Sequence, residues 1–173
     1  MSSSESLRLV VRSAPMPDES LLGHLLALAS VNHIPGVHSL ARLVKLPRNF
    51  YSYPCDLSPL AALVGETPET LASMASWPTR RGRCRFGAFD LSTMQVDIFR
   101  PKLCPRCLKE SGTCKRIWDL RCVVVCPEHG CWLIDRCESC RTRLSWNRPT
   151  IDRCGCGASL IQQATEEDRK SVV

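Results

Sequence analysis

Hydrophobic positions change character along this chain. In the first third they recur at helical intervals. The stretch ESLLGHLLALASVNH sets Leu21, Leu25, Leu28 and Ala29 on one face. Asp18 is placed to cap a helix that begins near Glu19, with an acidic residue in its first turn. Pro35-Gly36 ends that helix. A second helix is predicted from Val37 to Lys45, with Val37, Leu40, Leu43 and Val44 inward. Residues 46–56, LPRNFYSYPCD, carry two prolines and three aromatics and read as loop.

The next stretch, LSPLAALVGETPETLASMASW, holds two short helices. Leu60, Ala61, Val64, Gly65, Leu71 and Met74 fall at helix-turn-helix spacing. Ala61 lets two helices cross closely, and Gly65 can take the left-handed turn conformation. Thr67 can cap the following helix, with Pro68 at its first position. An ordinary helical hairpin with no role on DNA satisfies the same pattern.

The periodicity then lapses. Residues 78–103 read as a basic linker: PTRRGRC is arginine-rich, and FDLSTMQVDIF alternates enough for a short strand. Residues 104–161 are dominated by cysteine, and 162–173 form a charged tail. The expected organisation is an extended lead (1–17), a helical domain (18–77), the linker, a double finger domain (104–161) and the tail. No internal repeat of helical-array type is present.

Cysteine usage changes the picture most. Of twelve cysteines, only Cys55 and Cys84 precede residue 104, and the other ten lie between Cys104 and Cys156. The first residues lack the apolar stretch of a secretion signal, and runs such as LLALA and CVVVC are far too short to span a bilayer. An intracellular protein with no membrane contact is expected. Thiols stay reduced there, so clustered cysteines favour metal over disulfides. The formal charge of +6 hints at an acidic partner. Ligation of two divalent ions by seven thiolates lowers it to roughly +3, which weakens the hint.

Spacing sorts the cysteines. Cys104-x-x-Cys107 and Cys126-x-x-His129 are separated by 18 residues, and Cys137-x-x-Cys140 is followed after 13 residues by Cys154-x-Cys156. These are zinc-ribbon or treble-clef spacings for a three-cysteine, one-histidine site and a four-cysteine site. A tight clip can aim two ligands at one ion, and its backbone N–H groups offset thiolate charge. Four protein ligands leave no position for water, so two structural Zn2+ ions are expected. No catalytic constellation remains, which disfavours a hydrolase. Cys114, Cys122 and Cys131 are left over as small buried hydrophobes, with Cys131 the one best placed to replace an assigned ligand. Trp118, Trp132 and Trp146 are expected to cover the metal sites.

The order of motifs carries a resemblance. Pro15, Pro17, Glu19, Ser20 and Leu21 form P-x-P-x-E-S-L, and Leu28-Ala29-x-x-Asn32 follows. Then come Cys104-Pro105-x-Cys107-Leu108, Trp118, Cys126-Pro127-x-His129-Gly130, Cys137-x-x-Cys140 and Cys154-Gly155-Cys156-Gly157. Over residues 13–161 the chain resembles the TniQ family, which includes the TnsD proteins. The resemblance implies a mainly α fold with a small zinc-stabilised α+β part: an N-terminal helix-turn-helix domain and a C-terminal tandem zinc-finger domain. It implies a non-enzymatic role in transposition, linking a target-site selector to the AAA+ ATPase TnsC, which recruits the transposase. The chain is most like the short TniQ of CRISPR-associated transposons, whose selector is an RNA-guided effector complex with its guide RNA. The alternatives are a TnsD-like protein reading an attachment site and a stand-alone sequence-specific DNA-binding protein. The bacterial cytoplasm, at the nucleoid, is the implied location.

Two departures bear on that role. Ala27 stands where the family's first helix usually has a basic residue. The second helix of the helix-turn-helix turns Thr67, Glu69, Thr70 and Ser73 outward, with no Lys or Arg, whereas a base-reading helix offers Arg, Lys, Asn or Gln. That unit therefore reads as a docking or packing element. Basic residues gather elsewhere: Arg80, Arg81, Arg83 and Arg85, then Lys115 and Arg116 near the first finger, and Arg141, Arg143 and Arg148 near the second. Such distributed charge suits a phosphate backbone of DNA or RNA, or a solvated surface.

Overall fold

The computed structural model describes residues 7–79 and 82–163. The chain is mainly helical with one two-stranded sheet. Its elements among the described residues are α1 (Leu21–Val31), α2 (Gly36–Leu43), α3 (Ser58–Val64), α4 (Pro68–Met74), β1 (Arg83–Phe86), β2 (Phe89–Ser92) and α5 (Pro105–Ser111), with short 3-10 turns at Phe50–Ser52, Thr93–Gln95 and, after α5, Arg116–Asp119.

Helix α1 is apolar on almost every side. Leu21, Leu22, Leu25, Leu26, Leu28 and Ala29 are all buried, so the expected single inward face is too narrow. A helix apolar all round belongs in the middle of a core. Ser20, not Asp18, caps it: Ser20 is extended and its Oγ accepts from the Gly23 N–H at 3.1 Å. Asp18 has a positive φ of 61° and its carbonyl accepts from the Arg116 N–H instead. The helix ends before Pro35-Gly36, because the Asn32 side chain bonds Leu28 O and both backbone groups of Val11. Gly23 is required by a close approach. A Cβ there would lie 2.6 Å from Cys114 Cβ, where the helix meets the cysteine-rich half.

Helix α2 starts one residue early and stops at Leu43, which is exposed rather than inward. Lys45 takes φ 58°, which no helix continues. Gly36, at φ +79°, lets α2 begin against residues 147 and 148; a Cβ would sit 2.8 Å from Asn147 Cα. The α3–α4 pair matches its expected chemistry. Gly65 takes φ 85° and the Thr67 Oγ accepts from Thr70 N–H at the start of α4. Leu60, Ala61, Val64, Leu71 and Met74 are buried.

Part of the expected linker is a β-hairpin. RCRF pairs antiparallel with FDLS, Cys84 opposite Leu91 and Phe86 opposite Phe89, around a two-residue Gly87-Ala88 turn. Cys84 packs with Val96 and Ile98 in a small satellite cluster.

The main core is continuous from α1 to the last cysteine clip. It includes the helical leucines together with Trp118, Trp146 and Leu160. Hydrogen bonds tie the halves: Ser20 N–H to Cys114 O, Val37 N–H to Trp146 O, and Ile151 N–H to the Ser30 side-chain Oγ. Among the described residues no helix is long and apolar enough to cross a membrane.

Candidate metal centres

The first centre is built from a helix start and a knuckle. Cys104 is the N-cap of α5, its Sγ accepting from the Cys107 N–H, and Pro105 opens the helix. Both thiols therefore project from one turn. Cys126 and His129 come from a tight turn closed by Gly130 N–H to Cys126 O and Cys126 N–H to Cys131 O, each 2.8 Å. Cys107 Sγ lies 3.6 Å from Cys126 Sγ, and His129 Nδ1 lies 3.5, 3.3 and 3.6 Å from the sulfurs of Cys104, Cys107 and Cys126. Around a zinc-sized tetrahedral ion, bonds of about 2.3 Å to sulfur and 2.0 Å to nitrogen place sulfurs about 3.8 Å apart and sulfur and nitrogen about 3.5 Å apart. The donors already stand near those separations.

A supporting partner completes the arrangement. His129 Nε2 lies 3.0 and 3.1 Å from the Glu110 carboxylate oxygens. The carboxylate holds the proton on Nε2 and leaves Nδ1 free to ligate. Nothing in the spacing marks Glu110; the only clue is that a ligating histidine needs a partner for its second nitrogen. Lys115 pairs with Glu128, whose other oxygen lies 3.5 Å from Cys107 Sγ.

The second centre is two knuckles facing each other. Arg141 N–H bonds Cys137 O and Gly157 N–H bonds Cys154 O, at 2.9 Å each. Sulfur separations are 3.8 Å for Cys137–Cys156 and 3.7 Å for Cys140–Cys154. In each centre all four donor atoms fall within 4.8 Å of one another, so each can hold a metal ion.

The electrostatics fit a cation. Burial pushes Cys104 and Cys154 up to about 12, while hydrogen bonds from the Thr142 side chain and backbone hold Cys140 down at about 6. Four crowded thiols cannot all ionise side by side, but a divalent ion among them reverses that. No disulfide joins any of the twelve cysteines.

The remaining cysteines divide. Cys131 is buried with its Sγ 3.5 Å from that of Cys104, outside the four-donor set. Cys114 is buried, as expected of a small hydrophobe, but Cys122 is exposed, since it sits in an open turn after Leu120. Trp118 and Trp146 are buried in the core, whereas Trp132, paired with Val125 beside the first knuckle, is 47% exposed.

The basic residues also divide. Arg80 and Arg81 lie outside the described residues. Arg83 pairs with Asp90 and Arg143, at 3.9 Å, with Asp135 at the surface, and Arg85 and Arg141 are exposed. Arg116 is a clamp: it donates to Ser73 O and Ala75 O and stacks 4.7 Å over Phe86. Arg148 is only 3% exposed, its guanidinium donating to Ser145 O and Ile151 O. Burial and occupied donors remove Arg148 from any phosphate-facing surface. Lys115 remains half-buried in its pair with Glu128.

Comparison with known families decides what scaffold this is. The TniQ family model matches residues 10–133, well over half of the chain. The chain belongs to the TniQ family. No curated protein matches it. TniQ proteins are transposition-associated accessory proteins, generally non-catalytic, so membership implies protein and DNA contacts made during transposition. The match takes in the first centre and stops just short of Cys137, where the second begins.

Proposed function

We propose that this TniQ protein is a non-enzymatic targeting adaptor that joins a target-site selector to the AAA+ ATPase TnsC on DNA and so helps recruit the transposase. Its selector is an RNA-guided CRISPR effector complex. It works in the bacterial cytoplasm, at the nucleoid. Two structural Zn2+ ions occupy the centres, one on Cys104, Cys107, Cys126 and His129, the other on Cys137, Cys140, Cys154 and Cys156. Sulfur-rich donor sets at tetrahedral spacing favour zinc, and four protein ligands favour a structural over a catalytic role.

The observation that carries this reading is the α3–α4 unit. Its outward residues Thr67, Glu69 and Ser73 are exposed and bear no positive charge. Thr70 is tied to Thr67 within the cap. A helix so equipped docks a protein better than it reads bases. Arg83, Arg85, Arg141 and Arg143, with Arg80 and Arg81, supply backbone contacts that hold an adaptor to nucleic acid without reading it. Capture of TnsC by the zinc-loaded protein, with weak, salt-sensitive and sequence-independent DNA binding, is the expected result. A sharp, sequence-specific footprint made by the protein alone would favour the TnsD-like alternative and sink the adaptor.

A further inference from the structure

A concavity of about 390 Å³ opens where α2 meets the loop that joins the two clips of the second centre. It is lined by Pro35, His38, Ser39, Arg42, Arg48 and Asn147. Two arginines converge there, and no carboxylate lines it. Among the described residues neither Arg42 nor Arg48 forms an ion pair with an acid.

The pocket is built rather than incidental. Val37 N–H bonds Trp146 O, and His38 N–H bonds Asn147 Oδ1 at 3.2 Å. Gly36 permits the approach, as no other residue would. Arg48 is aimed by a side-chain relay. Its Nε donates to His38 Nδ1 at 3.0 Å, and Asn147 Nδ2 reaches the same ring nitrogen at 2.5 Å. The opposite nitrogen, Nε2, lies 3.4 Å from Tyr51 Oη, and the two rings stack at an interplanar angle of 8°. With Nδ1 accepting, the imidazole is neutral and its proton is on Nε2. Burial and the Arg48 charge both hold the His38 pKa below its ordinary value, in keeping with that tautomer. Using only Nε on His38 leaves the terminal guanidinium nitrogens of Arg48 for a ligand, and a guanidinium fork matches two oxygens of a phosphate.

The basic character does not stop at the rim. Asn147 also lines a second concavity, beside the thiols of Cys140, Cys154 and Cys156, that holds Arg143, whose Nη1 keeps only a long 3.9 Å contact with Asp135. Two adjoining hollows with arginines in both suit a linear polyanion better than a single free anion.

We infer that the Arg42–Arg48–His38–Asn147 pocket is a docking site for a phosphodiester of a nucleic-acid strand, continued past Asn147 towards Arg143. The inference rests on the reading that this surface meets nucleic-acid backbone. Arg42 and Arg48 contact the phosphate, and His38 is a positioning residue that orients Arg48. Because these groups reach phosphate and not bases, the contact carries no sequence preference.

The test uses the full-length, zinc-loaded chain and fluorescence anisotropy with labelled single- and double-stranded DNA and RNA of unrelated sequence, across a salt series. For Arg42→Gln/Arg48→Gln, affinity should fall about tenfold or more at low salt, equally for every sequence. The slope of log K against log salt should drop by about 1, as expected for one lost phosphate contact. His38→Phe should lower affinity less, and Arg42→Lys/Arg48→Lys should restore most of the salt slope. Native mass spectrometry confirms that each variant keeps its metal ions, since these side chains lie at the surface. Unchanged affinity and slope in the double Gln variant would overturn the pocket. Wild-type protein that captures the ATPase but binds no nucleic acid at low salt would overturn it while leaving the adaptor standing. Loss of ATPase capture with nucleic-acid binding intact would assign the pocket to an acidic protein segment, and would equally overturn it.

Discussion

Replacing Arg148 with Met separates a structural arginine from a surface one. The guanidinium makes three hydrogen bonds to two carbonyls: Nη1 to Ser145 O at 3.0 Å, and Nη2 and Nε to Ile151 O at 3.1 and 3.3 Å. It also lies over the Trp146 ring, 5.6 Å from its centroid. Met keeps much of the packing volume but donates nothing. Each of these part-buried carbonyls loses a charge-assisted hydrogen bond, worth about 1.5–3 kcal/mol. Against this stands the relief of no longer burying a cation, several kcal/mol in principle but reduced where the ion is well hydrogen-bonded. A net loss of about 2–4 kcal/mol results. For a chain of this size that lowers Tm by roughly 5–15 °C. Thermal unfolding followed by circular dichroism, with zinc present, measures it. Nucleic-acid affinity at a temperature where the variant stays folded should not change. A stability change under about 0.5 kcal/mol, or a fallen affinity at unchanged stability, would refute the assignment of Arg148 to the core.

Three further outcomes follow from individual contacts. Gly23→Ala forces a methyl against Cys114 Cβ, 2.6 Å away, and should destabilise by about 1–3 kcal/mol in chemical denaturation; a neutral result would mean α1 and the segment around Cys114 can part freely. Glu110→Gln should weaken metal affinity at the first centre about 10- to 100-fold in a chelator competition while leaving the second untouched, and equal loss at both would show that Glu110 does not act through His129. Burial raises the Asp119 carboxyl to about 7, above the roughly 4 of an unfolded chain, so the folded state holds that proton longer. Its contribution is then fully present below pH 4 and is lost as pH rises through 7, by up to about 4 kcal/mol. Asp119→Asn should flatten that part of the stability–pH curve, and an unaltered curve would contradict the shift.

What was legible in the sequence is what local chemistry decides. Gly65, Thr67 and Pro68 each have one reason to sit where they do, and the α3–α4 turn follows them residue by residue. The eight clip residues are legible for the same reason: ligand pairs are set by tight turns, and the structure gathers the same eight into two sets of four. Features decided by distant partners were not legible. Asp18 and Ser20 are both good caps, and Arg116 chooses between them by bonding Asp18 O. Arg116 and Arg148 look like surface charge until the carbonyls that bind them arrive from 41 to 43 residues away, or from the turn that folds round them. The short strand expected in FDLSTMQVDIF forms as β2, but its partner was hidden, because four residues with two arginines, RCRF, show too few alternations to register as β1. The phosphate pocket was hidden because Asn147 lies 109 residues from His38.

Two closed metal centres are what hold the cysteine-rich half in shape. Native mass spectrometry of the intact chain counts them directly. Two zinc ions per chain are predicted, falling to one in Cys107→Ser and to one in Cys140→Ser. A single ion in the wild-type chain, or a mass lowered by disulfide formation with no metal bound, would contradict it.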